Sequence, residues 1–203
     1  AVFKNIDPKF HLSGEERFYS ALDSVRSQNS ELLRRGLAEF ATLVSVNENR
    51  LEQFASASAQ VDRAVSDIFR NADSATWWSL RPEFRYLAEA SPTAFLSSLE
   101  SALRLNPSPI EVLFAEVKGI FTSRQYLPEL LWALEGLAWE VGLLSRVSEI
   151  LARLWAIDPG SKGGNSPAQS LRQIFLPWSP QTLAALSERF EAIDRLAKIL
   201  PEQ

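Results

Sequence analysis

Leu127-Pro128-Glu129-Leu130-Leu131-Trp132-Ala133-Leu134-Glu135-Gly136-Leu137 is the stretch on which the fold turns. Leu127, Leu130, Leu131, Leu134 and Leu137 recur at intervals of three and four. That spacing gathers them on one face of a helix and does not match the alternation of a half-buried strand. Pro128 suits the first helical turn, where no N–H is needed and its φ is preset. The same spacing continues on both sides. Ile110, Leu113, Phe114, Val117 and Phe121 form one set; Leu143, Val147, Ile150, Leu151 and Leu154 a second; Leu183, Leu186, Phe190, Ile193, Ala197 and Leu200 a third.

Helix starts punctuate these runs. Ser91-Pro92, Ser108-Pro109, Ser166-Pro167 and Ser179-Pro180 each pair a capping hydroxyl with a proline at the first helical position. Ser13 with Glu16 and Ser45 with Glu48 have the spacing of a reciprocal cap. The pattern predicts helices over about 14–28, 31–44, 46–71, 82–90, 92–105, 109–122, 128–157 with a break near 139–142, 167–175 and 180–200. Val44-Ser45-Val46 is the one β-branched cluster and is too short for a strand. The expected fold is all-α, built of antiparallel helical hairpins joined by short linkers. Character shifts near Asp73: residues 1–80 read as a long-helix hairpin region, and 81–203 as a shorter-helix, Leu/Trp-rich, HEAT-like region of the same continuous domain.

Composition narrows the function classes. The 203 residues carry 46% hydrophobic and 23% charged side chains, with a net charge of -4. A mildly acidic chain whose basic residues are scattered among acids offers no electrostatic footprint for nucleic acid or an anionic membrane. There is no Cys, so disulfides, thiol nucleophiles and Cys-based metal sites are excluded, and a cytoplasmic location is expected. No apolar run reaches a membrane-spanning length; 127–144 is broken by Glu129, Glu135 and Glu140. Met is absent even at position 1, which suggests a piece of a longer chain.

Catalytic chemistry finds few footholds. His11 is the single histidine, so no histidine pair can hold a metal and no G-x-S-x-G elbow accompanies a triad. Gly160-Ser161-Lys162-Gly163-Gly164-Asn165 has glycines and a lysine, but in the wrong order and after a helix rather than a strand, so it reads as a surface loop between helices and not as a phosphate loop. No catalytic residue, cofactor site or metal site is assigned. Glu135 reads as a solvent-facing residue on a polar stripe, with a partly buried carboxylate as the alternative.

The aromatic residues are the distinctive feature. Trp132, Trp139 and Trp155 fall near Leu-rich faces and are expected in the core. Trp178, in Phe175-Leu176-Pro177-Trp178-Ser179-Pro180, has two readings: a plug at the centre of an elbow that locks the last hairpin, or an exposed anchor for a protein partner together with Phe175 and Arg172.

Three stretches, Leu130 to Trp139, Leu151-Ala152-Arg153-Leu154-Trp155-Ala156-Ile157-Asp158-Pro159-Gly160, and Ser170-Leu171-Arg172-Gln173-Ile174-Phe175-Leu176-Pro177-Trp178-Ser179-Pro180-Gln181-Thr182, together resemble a helical-repeat region in the C-terminal part of very long bacterial STAND-type NTPases and related anti-phage conflict proteins. The resemblance covers about residues 86–200. It implies part of a sensor or scaffold array whose nucleotide-binding domain lies elsewhere, and it carries no catalytic residues. The leading expectation is a non-catalytic helical-repeat module, a fragment of a larger bacterial regulator or defence protein, that binds a protein partner or other domains of its own chain. A stand-alone structural or oligomerising helical protein is the alternative, with 46–71 as its interface, and an α-helical enzyme comes third.

Overall fold

A computed structural model describes residues 2–13, 16–17, 27–50, 56–118, 123–160 and 165–199. The fold is all-α. Its helices are α1 (Glu31–Val46), α2 (Ala57–Phe69), α3 (Ser74–Leu80), α4 (Phe84–Ala90), α5 (Pro92–Ala102), α6 (Leu127–Leu137), α7 (Leu144–Ala156), α8 (Pro167–Ile174) and α9 (Leu186–Ile199). Two three-residue strands, β1 (Glu116–Lys118) and β2 (Ser123–Gln125), form an antiparallel pair with Val117 opposite Arg124.

That small ribbon corrects the helix expected over 109–122. Ser108 and Glu111 make the reciprocal cap, but the turn they start is a tight 3-10 segment, Pro109–Phe114, that ends at Ala115 in extended backbone. Ile110 and Leu113 are buried, whereas Val112 and Phe114 pack only in part on the core. Too little of the expected face is held to propagate an α-helix. Phe121 lies outside the described residues.

The helix starts fared unequally. Ser30, Asp73 and Ser166 accept backbone N–H bonds at the heads of α1, α3 and α8. Ser13 and Glu16 exchange their two bonds as the spacing predicts, although most of the helix expected to follow them, over 14–28, lies outside the described residues. Ser91 precedes Pro92 at the start of α5, yet its hydroxyl donates to Asp62 on α2 at 2.5 Å and makes no cap bond. Ser45 sits inside α1, and the carboxylate of Glu48 accepts instead from the N–H and hydroxyl of Ser58. Ser179-Pro180 opens no helix; α9 begins at Leu186, where Glu188 accepts from the Ala185 N–H. The break expected near 139–142 is present, as a 3-10 turn Val141–Leu143 between α6 and α7.

The helices pack in two rows. α1 lies against α4, α4 against α6, and α6 against α8; α2 lies against α5, α5 against α7, and α7 against α9. The rows touch through α1 with α2, α2 with α4, α4 with α5, α6 with α7 and, most extensively, α7 with α8. α3 lies outside the order of the two rows: it packs on the 109–114 turn and the N-terminal turn Pro8–His11, and its Trp77 reaches Phe69, Phe84 and Phe95 of α2, α4 and α5. One continuous set of buried apolar residues runs through this packing from Val65 to Ala192.

Aromatic rings fill the junction of α2 to α5. Trp77 stacks on Phe69 with ring centroids 4.5 Å apart, and Phe84 and Phe95 meet it edge-on at 5.7 and 6.5 Å. The neighbouring Trp78 points the other way along α3. Arg81 lies 3.6 Å over its ring and Arg17 4.8 Å, and Tyr126 meets it edge-on at 5.3 Å. Two adjacent tryptophans thus anchor α3 from opposite sides, and both are fully buried.

α1 joins the stack through an unusual face. Its buried residues are Arg34 and Ala38. The Arg34 guanidinium donates to the Ser79 carbonyl at 2.7 Å and to Glu83 Oε2 at 2.8 Å, deep between α1 and the turn before α4. Thr42, one turn beyond Ala38, donates to the Tyr86 carbonyl on α4. The contact is small and polar, and the ion pair fixes the register of α1 on α4. Burial pushes the Glu83 carboxyl above its ordinary value, and Arg34 offsets only part of that rise.

Three outcomes are expected. Trp77→Ala should cost on the order of 3–5 kcal/mol in chemical denaturation, as for other buried indoles. Glu83→Ala should cost about 3–5 kcal/mol, because it strands a buried guanidinium. A raised folded-state pKa means the native chain holds this proton more tightly than the unfolded chain. The stability Glu83 contributes by titration is therefore present below pH 4.5 and lost as pH rises through the raised value. Melting temperatures of the parent and Glu83→Gln should accordingly shift in favour of the variant between pH 4.5 and neutrality.

Candidate protein-interaction surfaces

The helices at the two ends of the stack turn their apolar faces to solvent. On α1, Leu32 is 83% exposed and Phe40 63%, and Leu33, Leu37, Leu43 and Val46 are also open. Leu32, Phe40 and Leu43 lie on the side of the helix opposite Arg34 and Ala38, as a rotation of about 100° per residue requires, with Leu33 beside them and Leu37 and Val46 on the flanks. Beside them, Phe40, Ala41 and Val44 of α1 face Ala57, Val61 and Ala64 of α2 across a cleft of about 550 Å³. An ordinary surface helix buries its leucines and shows its polar residues. This one does the reverse, because Arg34, Ala38 and Thr42 already satisfy the inner face.

α9 repeats the reversal. Ala192 is buried and Leu196 half-buried against the core, while Leu186, Phe190 and Ile193 are exposed. The apolar face expected to lock this helix onto the core is therefore the one it presents outward. α9 packs against α7 with Ala192 fully buried.

Trp178 belongs to the same end of the molecule and is 81% exposed. Its core reading is overturned: the chain between α8 and α9 turns Phe175 inward, where it packs on the core, and leaves Trp178 outside. Arg172 is exposed on the last turn of α8. The segment is tied at its two ends. Leu176 N–H donates to the Gln173 carbonyl, Gln181 N–H donates to the same oxygen, and Leu183 N–H donates to the Trp139 carbonyl at 3.3 Å. The last bond brings exposed Leu183 beside exposed Trp139.

Trp132, Trp139 and Trp155 also correct the core expectation, at 49%, 47% and 39% exposure. Trp132 and Trp155 each lie one position off the buried stripe of their helix: Leu131 and Ala133 flank Trp132, and Leu154 precedes Trp155, all buried, while Trp139 follows buried Ala138 in the turn after α6. Leucine spacing alone does not resolve a one-residue offset of this kind.

Polar groups converge elsewhere. A cleft of about 300 Å³ is lined by Asp7, Lys9, Glu31, Arg34, Ser79 and Glu83. Arg34 and Glu83 are spent on each other, and Asp7 accepts from the Lys9 N–H and donates its own N–H to Ser79 Oγ. These carboxylates and the guanidinium act as struts between α1, α3 and the N-terminal turn. Glu135 is half-buried and accepts from Ser170 Oγ at 2.6 Å, tying α6 to α8, so the solvent-facing reading of this residue gives way to the partly buried one. His11 is exposed, edge-on to Phe10. Among the described residues no cluster of His, Asp and Glu has the makings of a metal site, and no helix is long and apolar enough to cross a membrane. The loop 158–165 falls partly outside the described residues; within them, Gly160 has positive φ and its N–H donates to Asp158 Oδ1.

The chain matches no protein-family model, no curated protein and no solved structure.

Proposed function

We propose that this chain is a non-catalytic helical-repeat module that binds a protein partner, as a scaffold or sensor segment of a larger bacterial regulator or defence protein. The observation that carries the reading is Trp178, 81% exposed between α8 and α9 in a segment tied at its two ends by backbone bonds, with the exposed apolar residues Leu186, Phe190 and Ile193 of α9 following it in the chain. A large indole on an ordered backbone loses little conformational freedom on binding, which is why tryptophan recurs at interface hot spots. Phe175 supports the segment from within, and Arg172 supplies a cation at its rim.

The two-row packing is in keeping with a repeat architecture, in which each hairpin contacts its neighbours and exposed end faces await a cap or a further unit. The family resemblance of residues 86–200 points to the same kind of array. Neighbouring hairpins of a longer chain and a separate protein present the same chemistry to such a face.

Trp178→Ala and Phe190→Ser should melt within a few degrees of the parent, because neither side chain is buried. Both should lose the protein captured by the parent from an extract of the native host. Capture of the same protein by parent and variants alike would refute the reading. The purified chain should show no nucleotide turnover; hydrolysis abolished by a point substitution within residues 1–203 would favour an enzyme instead.

A further inference from the structure

We infer that the outward face of α1 is a self-association surface, on which a second copy of this chain docks with its own α1 antiparallel to the first. The inference rests on the interaction-module reading and names the partner at its other end.

The face has the size such a contact needs. Leu32, Leu33, Leu37, Phe40, Leu43 and Val46 together leave on the order of 600 Å² open, against roughly 800 Å² per partner in a standard interface. The neighbouring cleft between α1 and α2 extends it. A contiguous apolar patch this large is at the upper limit of what a monomer shows.

The face is also complementary to itself. Gly36 lies in the middle of the stripe, exposed, and a Cβ added there would meet no heavy atom within 4 Å. Glycine weakens a helix interior and nothing in the α1 packing requires it, but it opens a notch through which another backbone can approach. Phe40, one turn further on, is the matching knob. When two copies of α1 run antiparallel about position 38, Gly36 of each faces Phe40 of the other, and Leu33 of each faces Leu43 of the other. A two-fold contact must place its features in this reciprocal way. No unpaired charge is trapped, since Arg35 and Glu39 at the border of the stripe are bound to each other at 2.7 Å.

Sedimentation equilibrium tests the contact. The parent should sediment at twice its 22.7 kDa chain mass at tens of micromolar. Phe40→Glu should weaken the dimer by on the order of 100-fold or more, as loss of a central anchor does, with its far-UV circular-dichroism spectrum unchanged. Phe190→Glu, at the far end of the stack, should leave the dimer intact. Because the chain has no cysteine, single thiols report the register. Leu33→Cys mixed with Leu43→Cys should oxidise to a mixed disulfide. Leu33→Cys alone should not, since its two sulfurs would sit roughly 15 Å apart along the helices. A parent that stays monomeric up to millimolar concentration overturns the inference, and so does a dimer indifferent to Phe40→Glu or a ready disulfide from Leu33→Cys alone. Each of those results leaves the interaction-module reading standing as long as Trp178→Ala loses its captured partner. Loss of that reading, with the dimer intact, would show instead as unaltered capture by Trp178→Ala.

Discussion

Trp77, Phe69, Phe84 and Phe95 bind α2, α3, α4 and α5 through one set of rings, and the remaining helices are placed relative to that junction. α4 carries α1 and α6 on its flanks, and α5 carries α7. Dispersion and burial of four large rings supply the strength, and their edge-to-face geometry supplies the specificity that a leucine cluster lacks. Trp78 extends the anchor to the other side of α3, where arginines cover its ring and Tyr126 brings in the start of α6. The shift in sequence character near Asp73 thus marks the place where the rows are joined. Phe69 precedes it, Phe84 and Phe95 follow it, and all three touch the same cluster.

The all-α class, the identity of most helices and the break between α6 and α7 were legible from apolar spacing and from proline and serine at helix heads. Those signals are local, and they register where a backbone can coil. They did not say where a coil would stop being worthwhile. The run Ile110 to Phe121 has helical spacing, yet only its first part finds a core to cover, and the chain becomes extended at Ala115. Ser179-Pro180 has the composition of a helix head, but the backbone of 176–183 is committed to Gln173 and Trp139 instead. Ser45 and Glu48 have a cap's spacing, yet α1 runs through Ser45 and Glu48 is taken by Ser58.

The candidate surfaces were harder to read because periodicity reveals a stripe without revealing which way it faces. On α1 the informative residues were the unremarkable ones: Arg34, Ala38 and Thr42 recur every fourth position and form a second, compact face. Read locally, a charged residue on such a face argues against burial. Its carboxylate partner lies 49 positions away, beyond the reach of any local pattern. On α9 the same role falls to Ala192. Trp178 stands out in the sequence because two prolines isolate it from either helix, but its side is set by the path of the backbone around it, which no local pattern shows.

The division of the six tryptophans between interior and surface has an optical consequence. Trp77 and Trp78 are sealed inside, whereas Trp132, Trp139, Trp155 and Trp178 meet water. Emission from this chain is therefore a composite of a blue, shielded population and a red, accessible one, and a dissolved quencher such as acrylamide or iodide reaches only the second. Unfolding merges the two populations, while occupation of the Trp178 end shields part of the accessible one and leaves the sealed pair as an internal reference. The chain thus carries an intrinsic reporter that separates loss of structure from the arrival of a ligand, without any added dye.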